Sequence, residues 1–287
     1  MAHFMAGQPE GFIIMQKIAV PSLNPRRYAE TFAVFVEHSL EYPQMLDELV
    51  RVTQFLRDGF RLLDIGAGTG LLIRSWSERA GSIRPGRYVA FEPNPRHVEC
   101  LLATVAELEI DHDIQARPFT LDTPLSKEFD LALFSHSLYW MPDPALHMLH
   151  AVSALVSGGA ALAFLGGPYG VHAMFPLFEP FIERTTPMLQ NNAISSHELV
   201  QGLRSYGAEP QVRILPTPID LTGLFEPSAA PQLAEFISFC MQLEFTQLPA
   251  WLQADMIQYV QGGCVPQNGR LYWYLPTASV LLSLSNG

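Results

Sequence analysis

Between residues 61 and 165 the sequence alternates short apolar segments with longer segments of helical periodicity. Strands that alternate with helices in this way are typical of a doubly wound α/β fold with a parallel sheet. In such sheets ligands bind beyond the carboxyl ends of the strands, where the strand order reverses. The predicted strands are Leu62–Ile65, Tyr88–Phe91, Ile114–Ala116, Phe129–Phe134 and Ala160–Leu165, and the predicted helices are Leu71–Ala80, Arg96–Leu108 and Pro144–Val156.

The regions on either side predict further helices. Asn24 and Pro25 can begin a helix that runs to about Leu40, and Pro43 separates it from a second helix at 44–55. Downstream we predict helices at 174–186 and from Ser195, and strands at 211–215 and 279–284. We divide the chain into an N-terminal arm with a helical cap (1–57), a Rossmann-like core (58–170) and a third part (171–287) with a helical, substrate-binding insertion at about 219–262.

Composition limits the partners that the chain can bind. The formal net charge is −11 and the basic residues are scattered, so no basic stripe favours nucleic acid. No apolar run reaches the roughly 18 residues of a membrane span. Cys100, Cys240 and Cys264 lack the spacing of a disulfide framework or a zinc site. We expect a cytoplasmic monomer or homodimer that binds a small molecule, away from membranes and without a metal.

The string LLDIGAGTG places Gly66, Gly68 and Gly70 between a predicted strand and a predicted helix. Glycines let the backbone turn sharply and let a ligand approach it without a Cβ atom in the way. The pattern is not the G-x-G-x-x-G of dinucleotide sites, and Asp64 stands where their strand is usually apolar. A carboxylate there suits the ammonium group of a methionine tail, directly or through water. We therefore expect the cofactor to bind at Asp64, Gly66, Ala67, Gly68 and Gly70.

Glu92 ends the second predicted strand, 22 residues after Gly70. This position suits a carboxylate that accepts hydrogen bonds from both hydroxyls of a ribose. The alternative, a structural turn followed by a solvated glutamate, explains less, because the turn and Glu92 agree in both spacing and strand context. Pro93, Asn94 and His97 follow Glu92 and are expected to line the same site.

These features resemble the class I S-adenosylmethionine-dependent methyltransferases. The resemblance rests on D-x-G-x-G-x-G at Asp64–Gly70, on Glu92, on FDLALFSHSLYW at Phe129–Trp140 and on LVSGGAAL at Leu155–Leu162. It implies a seven-stranded sheet with an antiparallel last strand and a helical lid over the active site. It also implies S-adenosyl-L-methionine as cofactor, with Thr120, Leu121 and Asp122 near its adenine and Ser135 near its sulfonium.

A narrower resemblance, to the histamine N-methyltransferase family, spans most of the chain at low identity. It rests on the late helical insertion and on the segments Tyr28–Tyr42, Ser137–Trp140 and Asn191–Leu199. It implies that Glu41 faces a nitrogenous acceptor and that Tyr139 and Trp140 form an aromatic wall. The chain departs from that family at His136, Val171 and Leu275, where the histamine enzyme has a glutamine, an indole wall and an asparagine. Histamine itself is therefore not the expected acceptor.

Methyl transfer from a sulfonium requires an electron-rich acceptor held in line about 3 Å from the methyl group. His136, which titrates near neutrality, and Glu41 are the candidate bases, and Tyr139 lies beside them as a third candidate catalytic residue. We expect an enzyme of specialised metabolism, in natural product biosynthesis, that methylates a nitrogen-containing aromatic ring or an amine. Attack by nitrogen and attack by a ring carbon such as indole C3 both remain open, as does a non-catalytic, cofactor-binding scaffold. His136 as a plain core histidine and Glu41 as a solvated helix-end carboxylate are the structural alternatives.

Overall fold

The computed structural model describes residues 16–81, 83–188 and 193–284, so Asn191 and Asn192 of the motif noted above lie outside the described residues. All strands and helices predicted between residues 61 and 165 are present. In chain order the elements are β1 (Ile18–Val20), α1 (Pro25–His38), α2 (Glu41–Thr53), β2 (Phe60–Ile65), α3 (Leu71–Arg79), β3 (Pro85–Phe91), α4 (Pro95–Glu107), β4 (His112–Gln115), β5 (Phe129–Ser135), α5 (Pro144–Ser153), β6 (Leu155–Gly166), α6 (Val171–Phe178), β7 (Ile182–Arg184), α7 (Ser196–Ser205), β8 (Gln211–Leu215), β9 (Pro218–Asp220), α8 (Ala230–Met241), α9 (Ala250–Gly262), β10 (Cys264–Gln267), β11 (Arg270–Tyr274) and β12 (Thr277–Ser283).

Seven strands of the described ranges form one sheet in the order β4-β3-β2-β5-β6-β12-β8. β2 to β6 run parallel to one another, whereas β12 is antiparallel to both of its neighbours. The strand order reverses between β2 and β5, so their carboxyl ends form the switch point at which α/β sheets bind ligands. The predicted fold class, a doubly wound sheet with an antiparallel last strand, is confirmed.

Helices cover both faces of this sheet. Met45 of α2, Trp76 of α3 and Leu101 of α4 are buried in one cluster. Met148 of α5 and Leu203 of α7 are buried in another cluster. Because both faces are covered, β2, β5 and β6 are rich in buried apolar residues instead of alternating strictly between apolar and polar. The turns at the strand ends are thereby held on a rigid frame.

A third apolar cluster lies apart from the sheet. It is formed by β1, α1, α6, β7, α8, α9 and the small sheet of β9, β10 and β11, and we call this group the lid. Phe236 of α8 and Trp273 of β11 are buried at its centre. α1 packs on α8, with the rings of Phe35 and Phe239 4.7 Å apart. The lid thus joins the beginning of the chain to its last third, whereas α2, also in the predicted N-terminal cap, packs on the main sheet.

The predicted break at Pro43 is wrong. α2 begins at Glu41, and Pro43 lies in its first turn, where the missing N–H would have no helical partner. The chain leaves α1 at Ser39, which is extended, and the N–H of Leu40 donates to the carbonyl of Pro218.

The helix predicted at 174–186 is also partly wrong, whereas the insertion predicted as mostly helical contains α8 and α9. α6 ends at Phe178, and after a short turn containing Pro180 the chain pairs with β1 as β7. β9 lies at the start of the insertion, and β10 and β11 form a hairpin immediately after it. Asn268 and Gly269, both with positive φ, make the hairpin turn, and Asn-Gly is the strongest short-range hairpin signal in a sequence.

None of the helices in the described ranges has both the length and the apolar character that a membrane span requires. Within the same ranges, no three His, Cys, Asp or Glu side chains are grouped so as to hold a metal ion.

Candidate active site

The turn after β2 contains the three glycines, whose φ angles are +76° at Gly66, +59° at Gly68 and +80° at Gly70. Glycine adopts such angles without steric cost. A Cβ atom on Gly66 would lie 2.3 Å from Cβ of Ser137, and one on Gly70 would lie 2.8 Å from Cδ1 of Leu101. A Cβ atom on Gly68 would have no neighbouring atom of the described residues within 4 Å. Packing therefore explains Gly66 and Gly70, whereas Gly68 presents an open stretch of backbone to a ligand.

The end of β3 holds this turn from the side. The N–H groups of Gly66 and Ala67 donate to the carbonyl oxygen of Phe91, at 2.8 and 3.3 Å. Glu92 follows and is only 5% exposed, and its Oε2 accepts a hydrogen bond from the N–H of Gly68 at 2.9 Å. The two features that the sequence assigned to one site are therefore in direct contact.

The residues after Glu92 surround its other carboxylate oxygen. The N–H of Asn94 donates to Oε1 at 2.8 Å, across Pro93, and Nδ1 of His97 lies 3.5 Å from Oε1. The side chain of Asn94 also caps α4, because its Oδ1 accepts from the N–H of Arg96. The start of α4 thus fixes the orientation of the Glu92 carboxylate.

Asp64 is buried at the carboxyl end of β2. Its Oδ2 accepts a hydrogen bond from the hydroxyl of Tyr88 at 2.8 Å, whereas its Oδ1 has no partner among the described residues. Burial raises the pKa of Asp64 to about 7; the hydrogen bond from Tyr88 acts in the opposite direction, and the charge of Glu92 adds to the effect of burial. Asp64 is therefore a carboxyl group that titrates near neutral pH, well above the ordinary range of an aspartate.

These residues fit S-adenosylmethionine. Three buried side-chain oxygens lack a hydrogen-bond partner in the described part of the chain, and two of them, Asp64 Oδ1 and Ser137 Oγ, belong to residues close to Gly66. Buried polar atoms normally have a partner. An ammonium group suits Asp64 Oδ1, the uncovered backbone of Gly68 admits a ligand, and the carboxylate of Glu92 suits ribose hydroxyls.

The other predicted cofactor residues lie at the same edge of the sheet. Thr120 and Leu121 are exposed in the turn that follows β4, where the N–H of Thr120 donates to Oγ1 of Thr123 at 3.0 Å. Ser135 is the last residue of β5 and pairs with Phe164. Within the described ranges no hydrogen bond joins these residues to the glycine turn, so their cofactor contacts stay predictions.

Glu41 and His136 form a pair across the switch point. His136 follows β5 with φ +52°, unusual for a residue with a side chain, and its Nε2 lies 2.8 Å from Oε1 of Glu41 at the start of α2. Burial disfavours the charged form of His136, but the Glu41 carboxylate outweighs it, so the pKa of His136 is raised. Burial likewise opposes the charge of Glu41, yet His136 holds the pKa of Glu41 below its usual value. Two residues 95 positions apart thus behave as one ionisable unit.

Aromatic rings flank this pair. The ring of Tyr139 stacks on His136 with centroids 6.1 Å apart and planes 13° apart. Its hydroxyl oxygen accepts a hydrogen bond from the N–H of Gly166 at 2.8 Å, and burial raises the pKa of its phenol. Trp140 lies edge-on to Tyr28 of α1 at 5.6 Å, so the lid contributes a ring to the same region.

Two residues of the site were missed by sequence reasoning. Thr277, the first residue of β12, donates its hydroxyl to Oε1 of Glu41. Tyr88, in the middle of β3, donates to Asp64. Neither lies in a motif, and both have the residue types of ordinary strand positions, so only the folded structure reveals them.

Comparison with known proteins agrees with this geometry. Residues 36–165 match the family model described as a methyltransferase domain. No curated protein matches the chain.

Similar solved structures share the fold. The YcgJ protein of Bacillus subtilis is 15% identical, with 84% of this chain and 98% of that chain covered and a TM-score of 0.54. A candidate methyltransferase of Bacillus halodurans, BH2331, is 13% identical with the same coverage and a TM-score of 0.53. A possible histamine N-methyltransferase of Thermotoga maritima is 14% identical, with 91% and 95% covered and a TM-score of 0.47. At these identities the likeness to the two Bacillus structures concerns the fold alone. Residues 36–165 therefore match a methyltransferase domain, and the glycine turn within that domain is shaped for S-adenosylmethionine.

Proposed function

We propose that this methyltransferase acts on a small nitrogen-containing aromatic ring or amine, in specialised metabolism, with His136 as general base and Glu41 as its orienting carboxylate. The observation that carries the proposal is the 2.8 Å contact between His136 Nε2 and Glu41 Oε1 beside the cofactor turn. Such a pair has a use when the acceptor must lose a proton. It would serve no purpose for an acceptor without one.

The hydrogen bonds of the pair leave two atoms available to an acceptor. Oε1 of Glu41 takes both donors, from His136 and from Thr277. In the described residues, neither Oε2 of Glu41 nor Nδ1 of His136 has a hydrogen-bond partner, and the side chain of His136 is 32% exposed. With its Nε2–H bound to Glu41, a neutral His136 offers Nδ1 as the proton acceptor.

The bound cofactor supplies an electrophilic methyl group on a sulfonium sulfur. The protein then has to bring the acceptor atom in line with that methyl group and accept its proton. Gly68 and Glu92 lie on one side of the switch point, and His136 and Glu41 on the other. An acceptor between them would meet both demands without a further catalytic group.

The surrounding rings support a flat acceptor. Tyr139 is stacked on His136, and Trp140 and Tyr28 stand edge to face close by. Aromatic walls favour planar rings through stacking and edge contacts. With one carboxylate-bound imidazole among them, the site suits a ring or amine that carries an N–H group.

The same pair supports methylation at nitrogen and at carbon. At nitrogen, His136 removes the proton of the attacking N–H. At a ring carbon such as indole C3, removal of the distant N–H proton makes the carbon more nucleophilic. Product analysis distinguishes the two.

The test is turnover of a panel of indoles, imidazoles, amines and phenols with labelled S-adenosylmethionine, with product mass and methyl position determined. With the best acceptor, we expect His136→Asn to lower kcat by about 100-fold or more and to leave the Kd of the cofactor within about twofold. His112→Asn is the matched control, because the one hydrogen-bond partner of the His112 ring among the described residues is a backbone carbonyl at the amino end of β4. Wild-type turnover in both His136→Asn and Glu41→Gln would refute the roles proposed for these two residues. A phenol as the best acceptor would refute the proposed substrate class.

A further inference from the structure

Tyr88 occupies a place in β3 that only the pairing of strands explains. It pairs with Leu62, and Asp64 pairs with Ala90. Because side chains of paired residues point to the same face of a sheet, Tyr88 and Asp64 share a face. The small side chain of Ala90 leaves room for the phenol to extend along the strand, and its hydroxyl reaches Oδ2 of Asp64 at 2.8 Å.

This contact makes the two carboxylate oxygens of Asp64 different from each other. Oδ2 is occupied by Tyr88, and Oδ1 is buried without a partner two residues before Gly66. Tyr88 is itself fully buried, so its ring cannot move aside without opening the core. The carboxyl group is therefore held in one orientation before any ligand arrives.

We propose that Tyr88 is a positioning residue for S-adenosylmethionine, which holds Asp64 so that Oδ1 accepts a hydrogen bond from the ammonium group of the cofactor, directly or through a water molecule. The role is one of preorganisation, since Tyr88 acts through its hydrogen bond to Asp64.

Cofactor binding then involves a proton. The ionisable groups that face Asp64 are Tyr88 and Glu92, both from the β3 side, whereas β5 on the other side places Leu133 opposite Asp64. With the pKa of Asp64 at about 7, the protonated form prevails in more acidic solution, and an ammonium group binds the carboxylate form. Below pH 7, binding should therefore release a proton and weaken as the pH falls.

Replacing Tyr88 by phenylalanine should raise the pKa of Asp64. The hydrogen bond from Tyr88 lowers the pKa of Asp64. Its loss in Tyr88→Phe leaves burial and the charge of Glu92 unopposed, so the pKa of Asp64 rises further. The pH at which half of the binding strength is lost should move upward with it.

The experiment is calorimetric binding of S-adenosylhomocysteine, which retains the ammonium group, between pH 5.5 and 8.5. Two buffers of different ionisation enthalpy at each pH give the number of protons released. For the wild type we expect close to one proton released at pH 6, almost none at pH 8.5, and an affinity that falls by up to about tenfold per pH unit below the midpoint. For Tyr88→Phe we expect roughly three- to tenfold weaker binding at pH 7, a higher midpoint and a smaller difference at pH 8.5.

Two variants complete the design. Tyr206→Phe is the matched control, because Tyr206 also donates to an aspartate, Asp143, at 3.2 Å but on the surface; it should bind as the wild type does. Asp64→Asn should bind weakly, with little dependence on pH and without proton release. Wild-type binding that releases no proton at pH 6, or a Tyr88→Phe profile that coincides with the wild type, would overturn the proposal. The wild-type profile decides the proton coupling even if Tyr88→Phe does not fold.

Discussion

At the scale of single residues, Oε1 of Glu41 accepts hydrogen bonds from both His136 and Thr277. A carboxylate shared in this way cannot rotate without losing two partners. It keeps Nε2–H of His136 engaged and so selects the tautomer that offers Nδ1. The geometry thereby favours His136 over Glu41 as the group that takes the proton.

The pH dependence of turnover follows from this pair. In wild type the pKa of His136 is raised, so kcat/KM for the acceptor should rise with pH through a limb above the ordinary value of about 6.5. Glu41→Gln removes the charge that raises the pKa, so the limb should shift to lower pH, and the plateau should fall because the imidazole is less well held. Rate profiles from pH 5 to 9 measure both. A limb that stays in place in Glu41→Gln would show that His136 is not the titrating group.

Sequence motifs predict those site residues whose role depends on residues next to them in the chain. Asp64, Gly68 and Glu92 were predicted because a glycine turn and an acidic strand end can be recognised from neighbouring residues. Thr277 of β12 lies 236 positions from Glu41 of α2, and Tyr88 of β3 lies 24 positions from Asp64 of β2. The role of Tyr88 depends on strand register, and that of Thr277 depends on how α2 packs on the sheet; a single sequence specifies neither at this distance.

At the scale of elements, Arg27 joins α1 to α8. Its side chain is 26% exposed, and its guanidinium group donates two hydrogen bonds to Glu235, at 2.9 and 2.7 Å, and also donates to Glu244 at 3.1 Å. It also contacts Glu30 on its own helix. Several charge-assisted bonds to one partly buried arginine are stronger than isolated surface pairs. The lid is therefore stabilised by an ion-pair network around Arg27 in addition to its aromatic core.

We expect Arg27→Ala to lower the free energy of unfolding by about 1–2 kcal/mol, because the partly buried carboxylates of Glu235 and Glu244 would then lose the guanidinium group that they share. Arg26→Ala is the matched control: Arg26 is 84% exposed and, in the described part of the chain, pairs with Glu30 alone, and its loss should change the free energy by less than about 0.5 kcal/mol. Urea denaturation of both variants measures the difference. Equal changes in the two variants would mean that the ion pairs of Arg27 contribute no more to the free energy of unfolding than an exposed surface pair does.

Element prediction succeeded where periodicity was strong and failed where a partner elsewhere decided the structure. The strands and helices of the core were found because apolar and helical segments alternate regularly. β7 was predicted as helix, because the sequence does not show that β1 supplies its pairing partner. The hairpin of β10 and β11 has a local signal at Asn268 and Gly269, which directly follows the helical pattern of α9.

At the scale of the whole molecule, the formal net charge of −11 acts on ligands before they bind. S-adenosylmethionine carries one positive charge more than S-adenosylhomocysteine, because methyl transfer removes the sulfonium. An acidic protein attracts the cation more strongly, and salt screens that attraction. Electrostatic attraction should therefore favour the binding of S-adenosylmethionine. S-adenosylhomocysteine, which lacks the sulfonium charge, should dissociate without being held by that attraction.

We expect the Kd of S-adenosylmethionine to rise about threefold or more between 50 and 500 mM NaCl, and that of S-adenosylhomocysteine by less than about twofold. Calorimetric titrations at fixed pH measure both ligands under the same conditions. A parallel salt dependence of the two ligands would contradict this electrostatic selection.

The lid has a consequence for how the protein matures. Arg27 and Glu235 are 208 positions apart, so α1 leaves the ribosome long before α8 exists. Until then Tyr28 and Phe35 have no ring of α8 to pack against, and contacts between distant parts of a chain form late. The nascent enzyme must therefore keep an aromatic helix from aggregating throughout synthesis. Chaperone dependence should fall if α1 is appended after β12 in a circularly permuted gene.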